Sequence, residues 1–154
     1  MMAKKEDIVW LEESLVALAD QEVDIRGPLF DQFFAAFPER RPAFLNLDAA
    51  SRRMTDECLQ MLYGLAGGEG WVWPLVAELV ATHHNYGVIP MMEYDAFIDA
   101  TVAQLAAAQG EGWTEDHAAA WGRQADALKT MVREATAGWA QAMAANRPGT
   151  GPAL

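Results

Sequence analysis

Residues 83–90 read His83-His84-Asn85-Tyr86-Gly87-Val88-Ile89-Pro90. Apolar residues at helical spacing run into this stretch from Trp73-Pro74, and the glycine and proline stop the helix there. A helix that ends in this way presents one imidazole nitrogen to whatever lies beside it. The residues that share the helical face of His83, namely Leu75, Val76, Leu79 and Val80, are all apolar. That neighbour is therefore expected to be large and apolar. His84 shares its face with Ala77, Val80 and Ala81, a shallower stripe, and is expected at a rim or in solvent. Upstream, Leu29-Phe30-Asp31-Gln32-Phe33-Phe34 leads into Phe37-Pro38-Glu39-Arg40-Arg41-Pro42-Ala43-Phe44. Together the two stretches suggest a flat apolar ligand held between a phenylalanine and a histidine. The plain alternatives are a core histidine satisfied by a backbone group and phenylalanines that only fill a core.

Outward from these stretches the chain reads as all-α. Ile8, Leu11, Leu15 and Leu18 stripe a first helix; Ile25, Leu29, Phe33 and Phe37 stripe a second, closed by Pro38. Pro38 to Phe44 is short and reads as a corner. Asp48 or Ser51 is the expected cap of a third helix with Met54, Cys58, Met61, Leu62 and Leu65 on one face. Gly67-Gly68-Glu69-Gly70 breaks it, and Trp73-Pro74 restarts a helix with proline in its first turn. Tyr94, Phe97, Ile98, Thr101 and Leu105 mark a further helix, ended by Gly110 and Gly112. Thr114 caps the last, with Glu115 and Asp116 suited to its N-terminus. Trp121, Ala125, Leu128, Val132, Ala135 and Trp139 form its stripe, and His117, in its first turn, is expected at the surface. From about Asn146 the Pro- and Gly-rich end reads as a frayed tail.

Composition narrows the function classes. A chain of 154 residues is a single domain by length, able to bury about 70% of its unfolded surface. The net charge of −11 argues against nucleic acid, whose phosphates demand Lys/Arg clusters; the basic pairs Arg40/Arg41 and Arg52/Arg53 are short. One cysteine excludes an intrachain disulfide and a cysteine-built metal site. Lys4, Lys5, Glu6 and Asp7 begin the chain with no apolar run of signal length, and no stretch approaches the roughly 20 residues of a membrane span. A cytoplasmic monomer or small homo-oligomer, with no membrane partner, is the expectation.

The corner Phe34-x-x-x-Pro38-Glu39-x-x-Pro42-x-Phe44 and the later His83-x-x-Tyr86-Gly87-Val88-x-Pro90, 39 residues beyond Phe44, resemble the globin family, in particular bacterial single-domain haemoglobins and the globin part of flavohaemoglobins. Trp121 matches a tryptophan usual in that family's last helix, and the likeness spans roughly residues 5 to 142. The resemblance implies a globin fold, one domain of about six to eight helices around a pocket for haem b. It implies His83 as the iron ligand through Nε2, with Nδ1–H bonded to an acceptor such as the Leu79 carbonyl one turn back. It implies Phe44 packed flat on the porphyrin. Leu79, Val88, Tyr94 and Phe97 would line the proximal side and far edge, though Tyr94 comes one residue late.

On the distal side the chain departs from the family. Ten residues on from Phe44, Met54 stands where a distal Gln or His is usual. Cys58 follows one turn later, and Phe30 replaces a tyrosine often found in relatives. A one-residue slip would place Thr55 there instead. Neither Phe30 nor Met54 can donate a hydrogen bond. Loss of a bond of roughly 1–3 kcal/mol would weaken oxygen retention about ten- to a hundredfold, and carbon monoxide and nitric oxide less. A Met54 thioether can also ligate haem iron; filling the pocket as a flexible apolar side chain is the plainer alternative. Where enzymatic relatives place a tyrosine and a glutamate behind the proximal histidine, this chain has Ala125 and Thr136. Glu57 stands where a basic residue often pairs a haem propionate, a task left to Arg52 or Arg53.

The resemblance thus implies reversible binding of a diatomic gas (oxygen, nitric oxide or carbon monoxide) rather than catalysis. The enzyme alternative is nitric oxide dioxygenase or peroxidase-like chemistry drawing electrons from a separate reductase, since 154 residues leave no room for a flavin or NAD domain. A gas or redox sensor is the third reading.

Overall fold

In the computed structural model, residues 5–146 are described, and they form six α-helices. These are α1 (Asp7–Asp20), α2 (Arg26–Ala36), α3 (Leu47–Ala66), α4 (Val72–His83), α5 (Met91–Gln109) and α6 (Glu115–Ala145). Short 3-10 segments at Pro38–Ala43, His84–Tyr86 and Gly110–Gly112 connect them. The described residues contain no strand, so the all-α expectation holds. Asn146 follows α6; the rest of the expected tail lies outside the described residues.

Helix ends follow local chemistry. Asn46, not Asp48 or Ser51, caps α3: its side chain accepts from the Ala49 N–H at 3.1 Å. Asn is among the best capping residues, so α3 starts before either predicted cap. Ser51 instead turns its hydroxyl onto the Asp48 carbonyl at 3.1 Å. Thr114 does cap α6, in a capping box whose second member is His117: the Thr114 N–H donates to His117 Nδ1 at 3.1 Å.

That box corrects the expected surface position of His117, which is 4% exposed. Its ring packs edge-on to Trp10 and against Trp113, and Nε2 lies 3.2 Å from a Glu13 carboxylate oxygen. Because Nδ1 accepts from the backbone, Nε2 carries the proton given to Glu13. His117 therefore joins the start of α6 to α1. Nearby, the fully buried Trp121 donates through Nε1 to Ser14 Oγ at 3.1 Å, and Ser14 donates to the Trp10 carbonyl. A tryptophan can be buried this deeply only when its N–H finds such a partner.

The long α6 packs against α1, α3, α4 and α5, while α2 lies on α5 and α3. Gly64 lets α3 meet the start of α4: a Cβ there would fall 2.7 Å from both the Trp71 ring and Val72 Cγ2. The apolar interior is divided. One cluster gathers Leu11, Leu62, Val72, Val76, Val80, Leu105, Trp121 and Leu128. The other gathers Leu29, Phe30, Phe33, Phe34 and Ala100, with Phe37, Phe44 and Met54 against it.

Candidate functional site

Side chains from both clusters line a cleft of about 540 Å³. Packed interiors rarely contain voids larger than a water molecule, whereas small-molecule and cofactor sites run to about 300–1,000 Å³. A core divided by an apolar cleft of this size is shaped for an occupant.

The four-residue periodicity of α4 aims Leu75, Val76, Leu79 and His83 at the cleft from one side. His83 is half-buried, and its Nδ1 lies 2.7 Å from the Leu79 carbonyl, the partner expected from one turn back. In the neutral imidazole, a proton on Nδ1 donated to that carbonyl leaves Nε2 as the nitrogen with a lone pair. Tyr86 and Tyr94 place their rings 6.5 and 5.9 Å from the imidazole. Burial pushes the Tyr94 hydroxyl up to about 12, with the Glu93 carboxylate adding to the shift. Gly87 ends this segment at φ 95° and ψ −170°, a region reserved for glycine. The chain can thereby swing from the 3-10 turn toward Pro90 without moving His83.

His84 does not line the cleft. Its ring stacks on Trp139 of α6 at 3.5 Å between centroids, 8° from parallel. His83 faces the apolar cleft, as its helical face suggested, whereas His84, expected at a rim or in solvent, is half-buried against the indole.

Facing α4, the start of α3 contributes Ala49, Ala50, Arg53, Met54, Glu57, Cys58 and Met61. Met54 lies on the cleft wall; Thr55 points away, into a separate hollow of about 370 Å³ bounded by Leu15, Leu18, Ile25 and Leu59. Of the two residues the sequence offered for that side, Met54 is the one that lines the cleft. Cys58 is buried and its thiol is pushed up to about 11 by desolvation, so it stays protonated at neutral pH. Phe44 lines the cleft at the corner, and Tyr94, Phe97 and Ile98 line it from α5.

Two expected lining residues are elsewhere. Phe30 is 3% exposed and sits behind the wall, with its ring edge-on to Phe44 and Phe97 at 5.7 and 5.5 Å. It supports the ring that faces the cleft. Val88 is 83% exposed and does not reach it; the turn at Gly87 carries it outward, and Ile89 lines the cleft in its place.

Sequence reasoning named Arg53 and Glu57 but missed the other charged members, Arg40, Glu93 and Glu78. Arg40, from the 3-10 corner, makes a two-pronged ion pair with Glu93 in the first turn of α5: Nε to Oε1, and Nη2 to Oε2 at 2.8 Å. Glu93 is 5% exposed, yet both its oxygens are satisfied. The bond raises the Arg40 pKa above its ordinary value, against a smaller opposing effect of desolvation. Arg40 appeared in the sequence only as half of a basic pair, and its partner is 53 residues away. At the mouth, Arg53 pairs with Glu57 at 3.0 Å, with Glu78 also on the rim. Arg52 lies outside the cleft, on the rim of the smaller hollow.

Behind His83, Leu128 and Val132 of α6 close the floor. Ala125 is buried, and the Thr136 hydroxyl is buried without a hydrogen-bond partner. The acceptor held by the His83 Nδ1 is therefore a neutral carbonyl, not a carboxylate.

Among the described residues no three His, Cys, Asp or Glu side chains are grouped to hold a metal ion. None of the helices described is long and apolar enough to cross a membrane. A scan against protein-family models finds no match, and no curated protein is significantly similar to the chain.

Proposed function

We propose that this chain is a globin that holds haem b in the cleft between α3, α4 and α5 and binds a diatomic gas reversibly. The observation that carries the reading is one imidazole, with Nδ1 tied to the Leu79 carbonyl at 2.7 Å, on the wall of a cleft that divides an apolar core. When bound, haem b supplies an iron with a position free for oxygen, nitric oxide or carbon monoxide.

The residues fit the group. His83 offers Nε2 as the axial donor, oriented by its Nδ1 bond. Phe44, Leu79, Tyr94 and Phe97 present flat or branched apolar surface to a planar ring. Arg53 stands at the mouth for its carboxylates. Met54 and Cys58 exclude water from the opposite side and supply no strong hydrogen-bond donor. The lack of a donor at Met54 and Cys58 disfavours oxygen, whose bound form is polar, relative to carbon monoxide and nitric oxide, and a neutral acceptor behind His83 gives little electronic push. Carriage or scavenging is therefore the reading, in the cytoplasm, rather than oxidation chemistry.

Reconstitution with haemin, followed by reduction under carbon monoxide, tests it. A sharp Soret band of one-to-one stoichiometry is expected, lost in His83→Ala and kept in His84→Ala. Haemin binding with no defined band, or retention that depends on His84 and not His83, overturns the proposal.

A further inference from the structure

The corner segment Pro38–Ala43 contains no buried residue and, among the helical elements, packs only on α2. Yet it carries the chain into Phe44, which lines one wall of the cleft, while Tyr94 and Phe97 of α5 line another. The direct polar link between corner and α5 is the Arg40–Glu93 pair, and both partners themselves face the cleft. We propose that Arg40 and Glu93 are positioning residues of the site: their two-pronged bond ties the corner to the first turn of α5 and thereby fixes the opening between Phe44 and the α5 wall.

Chemistry favours this role over simple stabilisation. An ion pair whose carboxylate is buried and whose guanidinium is half-buried gains little net energy over apolar side chains of the same shape, because Glu93 must be stripped of water and Arg40 partly so. What it contributes is direction, since two parallel N–H···O bonds allow one orientation of a planar fork against a carboxylate. Glu93 stands in the first turn of α5, where the helix dipole favours a negative charge and holds its end of the bond in place. Phe44 is the first residue after the segment, its N–H bonded back to the Arg41 carbonyl at 3.2 Å. A shift of the corner is therefore passed directly to that ring.

The inference rests on the haem reading only for the ligand that reports it, so the test uses two measurements. The first is amide hydrogen exchange by mass spectrometry on the protein without ligand, over residues 37–47 and over α6. The amides of Phe37, Arg40 and Phe44, which bond to Phe33, Phe37 and Arg41 carbonyls, are the reporters. Arg40→Gln and Glu93→Gln are each expected to speed exchange there about tenfold or more and to leave residues 115–132 near wild type. Arg40→Lys, which keeps the charge and loses the fork, is expected in between. The swapped double, Arg40→Glu with Glu93→Arg, is expected to recover much of the protection. The second measurement is transfer of bound haemin to excess apomyoglobin, expected to speed up in the same order. Unchanged exchange in the 37–47 segment, or faster exchange spread evenly over the chain, overturns the positioning role. So does a swapped double that folds but recovers nothing. If wild-type protein takes up no haemin, the haem proposal fails alone and the exchange series still decides this one. If the glutamine variants do not fold, Arg40→Lys decides it.

Discussion

At the scale of single residues, His83 and Met54 divide the site between them. The histidine's position, orientation and Nδ1 partner were all legible, because a helical register and one backbone carbonyl determine them. Met54 was picked out only through the family resemblance, ten residues on from Phe44, and it lines the cleft. Met54→Gln would introduce a hydrogen-bond donor at a position where the methionine has none. Stopped-flow oxygen release from the haem-loaded protein is expected to slow about ten- to a hundredfold, with carbon monoxide release changed far less. Equal effects on both gases would mean that residue 54 acts by bulk alone. Arg40 and Glu93 were illegible for the opposite reason: no periodicity links positions 53 apart, and only the folded chain brings them together. His117 was misjudged because first-turn position suggests exposure, whereas its ring serves as the second half of a cap beneath Trp10.

At the scale of elements, the helices themselves were readable from apolar spacing, glycine breaks and Pro38, and α2 ends where proline demands. Starts were less readable, because Asn46, Asp48 and Ser51 are all capping types and only backbone geometry selects among them. Exposure of loop residues was not readable at all: Val88 and Ile89 are both β-branched and apolar, and the unusual backbone of Gly87 decides which one turns in. The approach of α3 to α4 depends on a missing side chain. Gly64→Ala would press a methyl to 2.7 Å from Trp71 and Val72. A cost of about 1–3 kcal/mol is expected for this overpacking, a drop of about 2–10 °C in the melting midpoint. Alanine is otherwise the better helix former, so a midpoint that rises would show the two helices free to part.

For the whole molecule, the buried Cys58 thiol and the half-buried Tyr94 phenol tie stability to alkaline pH. Cys58 titrates near 11 in the folded chain against an ordinary 9.0, and Tyr94 near 12 against 10.0. Both folded values are raised, so their contribution is complete below about pH 9 and is lost as pH climbs through the folded values. The Cys58 share amounts to up to about 3 kcal/mol. Urea midpoints are expected to fall between pH 8.5 and 11, and Cys58→Ala should flatten that fall; an identical slope in the variant would locate the proton elsewhere.

The parallel stack of His84 on Trp139 has a consequence for metal choice. Of three imidazoles in the chain, one is sealed between α1 and α6 and a second is parked on an indole, which leaves His83 as the one free to serve the proposed haem. Take the parking place away with Trp139→Ala and the idle ring is released one residue from the working one. Haem retention abolished by His83→Ala is then expected to return in part when Trp139→Ala is added, with a spectrum of mixed ligation. No recovery would mean that the indole holds α6 to the end of α4 and does not police which histidine serves.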